Sequence, residues 1–411
     1  MSAVRALLPR RTAALVEQAL VSGAGFAALL LFARELSAAA WGAFAFGHAL
    51  VLFMLGFQRA LVTLPMVAFT AASGWDRGRA DWARANATLA LVAAALLLPG
   101  AVLLPAAGWV GDSLAMACAM VLPLAVHEFA RRAAIQEERQ DLLAAMGAAY
   151  ATVLLLLALL PWPSAWQPWA PALAFGGAAG AAACVYRLVS GAAALPRPGP
   201  LPRLQGYGAY GGWAVASHLG YSGYNFGVQA ILAAVAGPAA VGVFHACRAL
   251  VQPVVVLIAA LDGIDKPRAA RALVQDGAAA LRRALGRQLA IASALALPYL
   301  ALVSLVAEPL LRWAYADLYA SQRAVVWTWC AVVLCNLVSQ PVESGLYVAR
   351  LTRALFFGRA AAAAASLAAA VPLVQGHGAV GALLAMALGF GLAALFGSQT
   401  LFRLETRPCE P

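Results

Sequence analysis

Charge is what this chain has least of. Only 11% of its 411 residues are charged and 64% are hydrophobic, against roughly a quarter charged in an ordinary soluble domain. A single water-facing core of this length cannot hide that much apolar surface, so the surplus must face lipid. Cysteine is sparse as well. The six residues Cys118, Cys184, Cys247, Cys330, Cys335 and Cys409 lie scattered, mostly inside apolar runs, with no CxxC or Cys/His spacing. That pattern excludes a disulfide framework and a Cys/His metal cluster, and neither a metal nor a cofactor is expected. A Gly-rich phosphate loop and a Ser/His/Asp array are missing too, so no catalytic centre is expected. Also missing is the alternation of a membrane barrel: the Ala/Leu/Val runs are unbroken, which leaves helices as the only way to satisfy the backbone in lipid.

What is present is a series of apolar runs punctuated by charges. Between Asp141 and Arg187 nothing is charged, a run too long for one helix that splits at Pro161-Trp162-Pro163-Ser164. The run from Leu204 to Cys247 splits likewise at Gly237-Pro238, and that from Ala360 to Phe402 near Gly376-His377-Gly378. Arg5, Arg10 and Arg11 before an apolar run imitate a signal peptide, but no small-residue cleavage site follows, and the run reads as the first span. The predicted fold is all-α, with about twelve spans near 13–33, 41–70, 87–107, 113–131, 143–161, 170–188, 208–235, 239–261, 288–307, 323–346, 358–375 and 379–401.

Most of the 28 basic residues fall on the N-terminal side of these spans, in the groups Arg77/Arg79/Arg84, Arg131/Arg132/Arg139, Arg187/Arg197/Arg203, Lys266 to Arg287, Arg350/Arg353/Arg359 and Arg403/Arg407. The positive-inside rule therefore predicts an inner-membrane protein with both termini cytoplasmic, and Trp109, Trp162, Trp166, Trp169, Trp313 and Trp327 suit the opposite interface. The net charge of +11 reports topology and contact with anionic membrane lipids, and no nucleic-acid partner is needed to explain it. The stretch from Lys266 to Arg287 alternates basic residues with Ala and Leu and reads as a helix lying on the inner leaflet.

The halves match each other. Trp41-Gly42-Ala43-Phe44-Ala45-Phe46-Gly47-His48-Ala49-Leu50-Val51 lines up without gaps on Val241-Gly242-Val243-Phe244-His245-Ala246-Cys247-Arg248-Ala249-Leu250-Val251. Each copy opens an even-numbered span. That predicts two six-helix lobes, 1–195 and 207–411, related by a pseudo-two-fold axis along the membrane normal and joined by a Pro-rich cytoplasmic linker at 196–206.

Glu17-Gln18-Ala19-Leu20-Val21-Ser22, then Phe32-Ala33-Arg34-Glu35-Leu36 and Gly42-x-Phe44, resemble the start of the Wzx-type oligosaccharide flippases of the multidrug/oligosaccharidyl-lipid/polysaccharide (MOP) superfamily, which also holds the MATE-like exporters. Gly242-x-Phe244-x-x-x-Arg248-Ala249-Leu250, Pro267-Arg268-Ala269-Ala270-Arg271 and Pro309-Leu310-Leu311 with Tyr315-Ala316-Asp317-Leu318-Tyr319-Ala320 are similar to later segments of the family. The resemblance implies a V-shaped pair of lobes around a central cavity that moves undecaprenyl-pyrophosphate-linked oligosaccharide by alternating access. It also implies a polysaccharide polymerase and glycosyltransferases as partners.

Ionisable groups inside spans are costly and so are functional candidates. Arg248 lies near mid-span, where its planar fork suits a pyrophosphate; the structural alternative pairs it with a carbonyl or a carboxylate. Arg59, His218, Asn225, Gln252 and Gln340 join it as candidate substrate-binding residues, although such polar groups serve more often to join helices. Glu17, Glu343 and Glu128 are candidates for ion coupling or for a gate, with Arg59 a possible partner of Glu17 or Glu343. Two rivals stand beside this reading. One is a drug or small-metabolite exporter, MATE-like or a major facilitator, since Gly74-Trp75-Asp76-Arg77-Gly78-Arg79 approximates a major-facilitator loop signature with altered spacing. The other is a membrane-embedded glycosyltransferase or polymerase, which the few external acids Glu35, Asp112, Glu308 and Asp317 disfavour.

Overall fold

The computed structural model describes residues 2–66, 75–103, 108–190, 198–201, 207–315, 317–349 and 351–403. Among them every regular element is helical. In chain order these are α1 (Ser2–Glu35), α2 (Ala38–Gln58, running into a π turn at Arg59–Thr63), α3 (Trp75–Leu103), α4 (Trp109–Gln136), α5 (Gln140–Ala158) and α6 (Ala170–Ser190). Then follow α7 (Tyr207–Ser222, running into a π turn at Gly223–Gly227), α8 (Val228–Leu305), α9 (Ala307–Tyr315), α10 (Arg323–Val348) and α11 (Thr352–Phe402).

Among the described residues ten segments are long and apolar enough to cross a membrane, and the chain is a multi-pass membrane protein. Two of the ten, Tyr210–Asp262 with 53 residues and Thr352–Phe402 with 51, far exceed the roughly 20 residues that one crossing needs. Each breaks where the sequence places a hairpin turn, at Gly237 (φ 78°) and Gly378 (φ 55°). Positive φ is cheap only for glycine, so these positions can interrupt a helix where Ala or Leu would continue it. The turn at Pro161 to Ser164 is likewise non-helical. The basic stretch after Lys266 differs from expectation. After a break at Gly277 the helix runs unbroken to Leu305, so Arg282, Arg283 and Arg287 occupy the first turns of a span and not a separate in-plane helix.

The chain divides into two compact units, Met1–Val215 and Ala216–Pro411. The linker stretch 196–206 falls mostly outside the described residues, as do Arg350, Arg407 and the side chains of Arg5, Arg10, Arg11 and Arg77. Of the linker, Gly199 is tied to α3: its N–H donates to the Arg84 carbonyl at 3.3 Å and its carbonyl accepts from the Thr88 hydroxyl at 2.7 Å.

In the first unit α1 packs on α5, α5 on α6, and α2, α3 and α6 on α4; in the second α10 and α11 pack on each other and on α8. Small residues make this possible. Ala178, Ala179 and Ala182 on α6 are completely buried, and Gly47 on α2 sits so close to α4 that a Cβ would lie 2.5 Å from the Ser113 carbonyl oxygen. The Ser113 hydroxyl donates back to the Ala43 carbonyl at 2.8 Å. Lipid-soluble bundles are held by such close approach, because burying Leu against Leu gains little over burying it in acyl chains. The outward faces carry the large apolar residues instead: Leu103 is 76% exposed and Leu159 69%.

Candidate functional site

In the first unit the buried charges form closed pairs. Glu17 on α1 is 1% exposed and receives both arms of the Arg131 guanidinium from α4, at 2.7 and 2.8 Å. The same Arg131 Nη2 donates to Gln18 Oε1 at 2.7 Å, and Gln18 donates to the Ser22 hydroxyl at 2.8 Å. The pair has room because position 147 on α5 is glycine: a Cβ there would lie 2.9 Å from Glu17 Cγ. Such a bidentate pair satisfies both partners of a charge that would otherwise be intolerable away from water. Glu128, three residues before Arg131 on α4, holds Arg59 and Arg132, each at 3.4 Å. Arg59 opens the π turn that follows α2, and the partner it finds is Glu128, not Glu17 or Glu343.

The second unit carries a comparable cluster. Glu343 on α10 and Arg359 on α11 are both buried and joined at 2.5 and 3.3 Å. Arg359 Nη1 also donates to the Ser217 hydroxyl on α7 at 2.6 Å, and the guanidinium lies 5.3 Å from the Tyr221 ring centre. A neighbouring network joins Asp262 to Lys266 at 2.7 Å and to the Ser344 hydroxyl, with the Lys266 ammonium over the Tyr347 ring. Sequence reasoning missed Arg131, Arg359, Asp262 and Lys266 as partners in these networks. It took three of them, Arg131, Arg359 and Lys266, as loop cations. The signal was available, since no Gly or Pro separates Arg131 from the apolar run before it, so the helix continues past the last uncharged residue.

Arg248 differs from both arginines. It sits on α8 within the candidate span Tyr210–Asp262, half-buried, and among the described residues it makes no hydrogen bond or ion pair. Its contact is the face of Trp329, 5.7 Å from guanidinium carbon to ring centre. The helix that carries it is held firmly. Trp329 Nε1 donates to the Phe244 carbonyl at 2.9 Å, the Tyr315 hydroxyl to the Ala246 carbonyl at 2.8 Å, and the Tyr299 hydroxyl to the Leu250 carbonyl at 2.8 Å. Burial pushes the Tyr315 pKa above its ordinary value, so this donor keeps its proton. Three aromatic donors thus fix the turn on which an uncompensated cation stands.

The remaining candidates are only partly brought together. Gln252 follows Arg248 by one helical turn, shares its face, and like Gln340 is half-buried without a side-chain hydrogen bond among the described residues. His218 lies 3.3 Å from the Ser222 hydroxyl on its own helix. Asn225 stands in the π turn Gly223–Gly227 and donates to the Tyr221 carbonyl at 3.1 Å; such π turns recur where side chains are redirected for function. Tyr221 lies under the Arg359 guanidinium. Among the described residues no group of His, Cys, Asp and Glu is arranged to hold a metal.

Residues 139–324 match the family described as polysaccharide biosynthesis protein. No curated protein matches in sequence. In structure the chain is similar to an inward-facing multidrug-resistance MATE-family transporter of the MOP superfamily, at 13% identity and a TM-score of 0.73, over 96% of this chain and 100% of that one. It is also similar to a MOP-superfamily transporter from Pyrococcus furiosus, for which a binding pocket of reverse polarity suggests a different function (13% identity, TM-score 0.67, 96% and 95% covered). A eukaryotic MATE transporter matches at 14% identity and a TM-score of 0.66, with 96% of each chain covered. The fold is the one these MOP-superfamily transporters share.

Proposed function

We propose that this membrane exporter is a flippase that carries undecaprenyl-pyrophosphate-linked oligosaccharide across the bacterial inner membrane for cell-surface polysaccharide synthesis, by alternating access and without making or breaking a bond. The observation that supports it is Arg248: a permanently charged fork, held within a span by a pinned helix, with no carboxylate spent on it. Leaving a buried charge uncompensated is costly unless a ligand supplies the counter-charge. A pyrophosphate offers that counter-charge in bidentate geometry. Arg59, His218, Asn225, Gln252 and Gln340 would complete the recognition of phosphate and sugar, and Glu17, Glu343 and Glu128 would act as gate or coupling groups through the arginines they already hold. Both termini would lie in the cytoplasm, and a polymerase and glycosyltransferases would work beside the chain.

The test is surface polysaccharide in cells that depend on this protein. With equal amounts of protein in the membrane, Arg248→Ala should lower export about ten- to a hundredfold, the equivalent of losing one ~1.5–3 kcal/mol hydrogen bond to a charged group. Arg248→Lys should recover only part, because an ammonium cannot grip two oxygens at once. Unchanged export in Arg248→Ala would remove this reading. The multidrug transporters among the structural relatives favour a second one: altered drug resistance with unchanged polysaccharide would identify a drug exporter.

A further inference from the structure

Two neighbouring helices of the second unit, α8 and α10, carry three amides whose side chains have no hydrogen-bond partner among the described residues. The helices are aligned by contacts at both ends. Arg248 lies over the Trp329 ring at 5.7 Å, and Trp329 Nε1 donates to the Phe244 carbonyl at 2.9 Å. Further along, the Ser344 hydroxyl donates to Asp262 and the Lys266 ammonium lies over the Tyr347 ring at 5.5 Å. Nearly equal stretches of α8 and α10 separate these contacts, so the two helices run in the same direction and in register. Between the contacts stand Gln252, about one turn after Arg248, and Asn336 and Gln340, about two and three turns after Trp329.

The amides of α10 do not share the lipid-facing side of their helix. Leu334 and Val338 are exposed, and each lies two residues from Asn336, nearly opposite to it around the helix. Gln340 follows Asn336 by one turn and shares its face, as Gln252 shares that of Arg248. All three amides are half-buried. In a membrane bundle such groups ordinarily join helices to each other, because a dry, unpaired amide is costly. Amides that stand on facing stripes and still leave one another unbonded are kept for partners from outside the protein. Each glutamine also precedes a proline, Pro253 or Pro341, whose missing N–H leaves the carbonyl one turn earlier, of Ala249 or Leu337, without its helical donor.

We infer that this stripe is the glycan subsite of the carrier and that it takes an uncharged oligosaccharide, the pyrophosphate at Arg248 and the sugars along Gln252, Asn336 and Gln340. Amides suit sugar hydroxyls because each offers donors and an acceptor. From Trp329 to Gln340 the stripe is about 16 Å long at ~1.5 Å per residue, room for a short run of sugars. The charge pattern sets the class. No base lies on α8 between Arg248 and Lys266 or on α10 after Arg323. At the end of the stripe Lys266 and Arg359 already hold Asp262 and Glu343, so an acidic sugar would be buried without a counter-charge. The inference rests on Arg248 as the phosphate-binding residue and adds Asn336 to the recognition set.

The test is the affinity of the full chain, in phosphatidylcholine nanodiscs, for farnesyl diphosphate esters of N-acetylglucosamine, of triacetylchitotriose, and of the same trisaccharide with glucuronate as its third sugar. The natural protein should bind the neutral trisaccharide ester about tenfold more tightly than either of the others. Asn336→Ala and Gln340→Ala should each lower that affinity about three- to tenfold, the loss of one neutral hydrogen bond, and leave the monosaccharide ester within about twofold. Asn336→Leu keeps the volume and should show the same loss with a melting temperature no lower than that of the natural protein, which a helix-joining amide would not allow. Equal affinity for the mono- and trisaccharide esters, tighter binding of the acidic ester, or amide variants that weaken every probe alike overturns the inference. Arg248→Ala should weaken all the probes. If it weakens none, the phosphate reading fails and this inference with it, whereas loss in Arg248→Ala without loss in the amide variants overturns the glycan subsite alone.

Discussion

The two units handle charge in corresponding places with different residues. Arg131 stands as far before the end of α4 at Gln136 as Glu343 stands before the end of α10 at Val348, and Gly147 follows the start of α5 at Gln140 by the same interval as Arg359 follows the start of α11 at Thr352. Glu17 and Ser217 are related by the offset that aligns Phe44 with Phe244. In the first unit the acid comes from α1, the arginine from α4 and the space from α5; in the second the acid comes from α10, the arginine from α11 and a hydroxyl from α7. What both keep is a buried, closed ion pair where three helices converge. The second unit has Arg248, without a carboxylate partner among the described residues, at the position where the first has His48, which stacks on Phe44 and lies tilted against Phe175. Closed pairs hold helices in place, whereas an open charge awaits a partner.

That distinction can be broken by experiment, most severely at the closed pairs. Arg359→Ala strands Glu343 and should cost about 3–5 kcal/mol, while Arg359→Met with Glu343→Leu should recover most of the loss; melting of the purified protein in detergent measures both. Arg131→Ala should behave alike in the first unit, though less severely, since the Arg131 side chain is 19% exposed against 10% for Arg359. If either single variant melts like the natural protein, the pairs do not hold the helices. Gly147→Ala sharpens the comparison by pressing a methyl on Glu17, with an expected loss of about 1–3 kcal/mol, whereas Gly286→Ala has free space and should show none of that strain. Trp329→Phe removes the bond to the Phe244 carbonyl and should cost about 0.5–1.5 kcal/mol in stability, together with part of the export that depends on Arg248. At the small end, Arg312→Ala breaks the exposed pair with Glu308 and should change stability by less than about 1 kcal/mol.

Much of this architecture was legible in the sequence. Uncharged runs gave the spans, and Gly237-Pro238 and Gly376-His377-Gly378 marked the breaks because only glycine tolerates the backbone found there. Arg248 was legible for the same reason that it matters, as a lone charge in the middle of an apolar run. Its partners were not. Arg131 lies where charge resumes after such a run and Arg359 just before one begins, and a basic residue at either edge reads as a loop cation if the helix is taken to match the apolar run. In fact α4 continues to Gln136 and α11 begins at Thr352, which turns both arginines inward. The acids Glu17, Glu343 and Glu128 were visible, but which arginine each meets depends on helix packing that periodicity does not encode; hence Arg59 closes on Glu128. Arg282 and Arg283 read as part of an in-plane helix, whereas the helix that resumes after Gly277 carries them through Gly286 into the span that follows.

The central claim is that Arg248 is the cation kept free for an anionic ligand. It is tested most directly by measuring the affinity of the full chain, reconstituted in phosphatidylcholine nanodiscs, for farnesyl pyrophosphate as a short probe of a lipid-linked pyrophosphate. Arg248→Ala should weaken binding about ten- to a hundredfold, with Arg283→Gln within about twofold of the natural protein. Equal affinity in a folded Arg248→Ala protein would contradict the account.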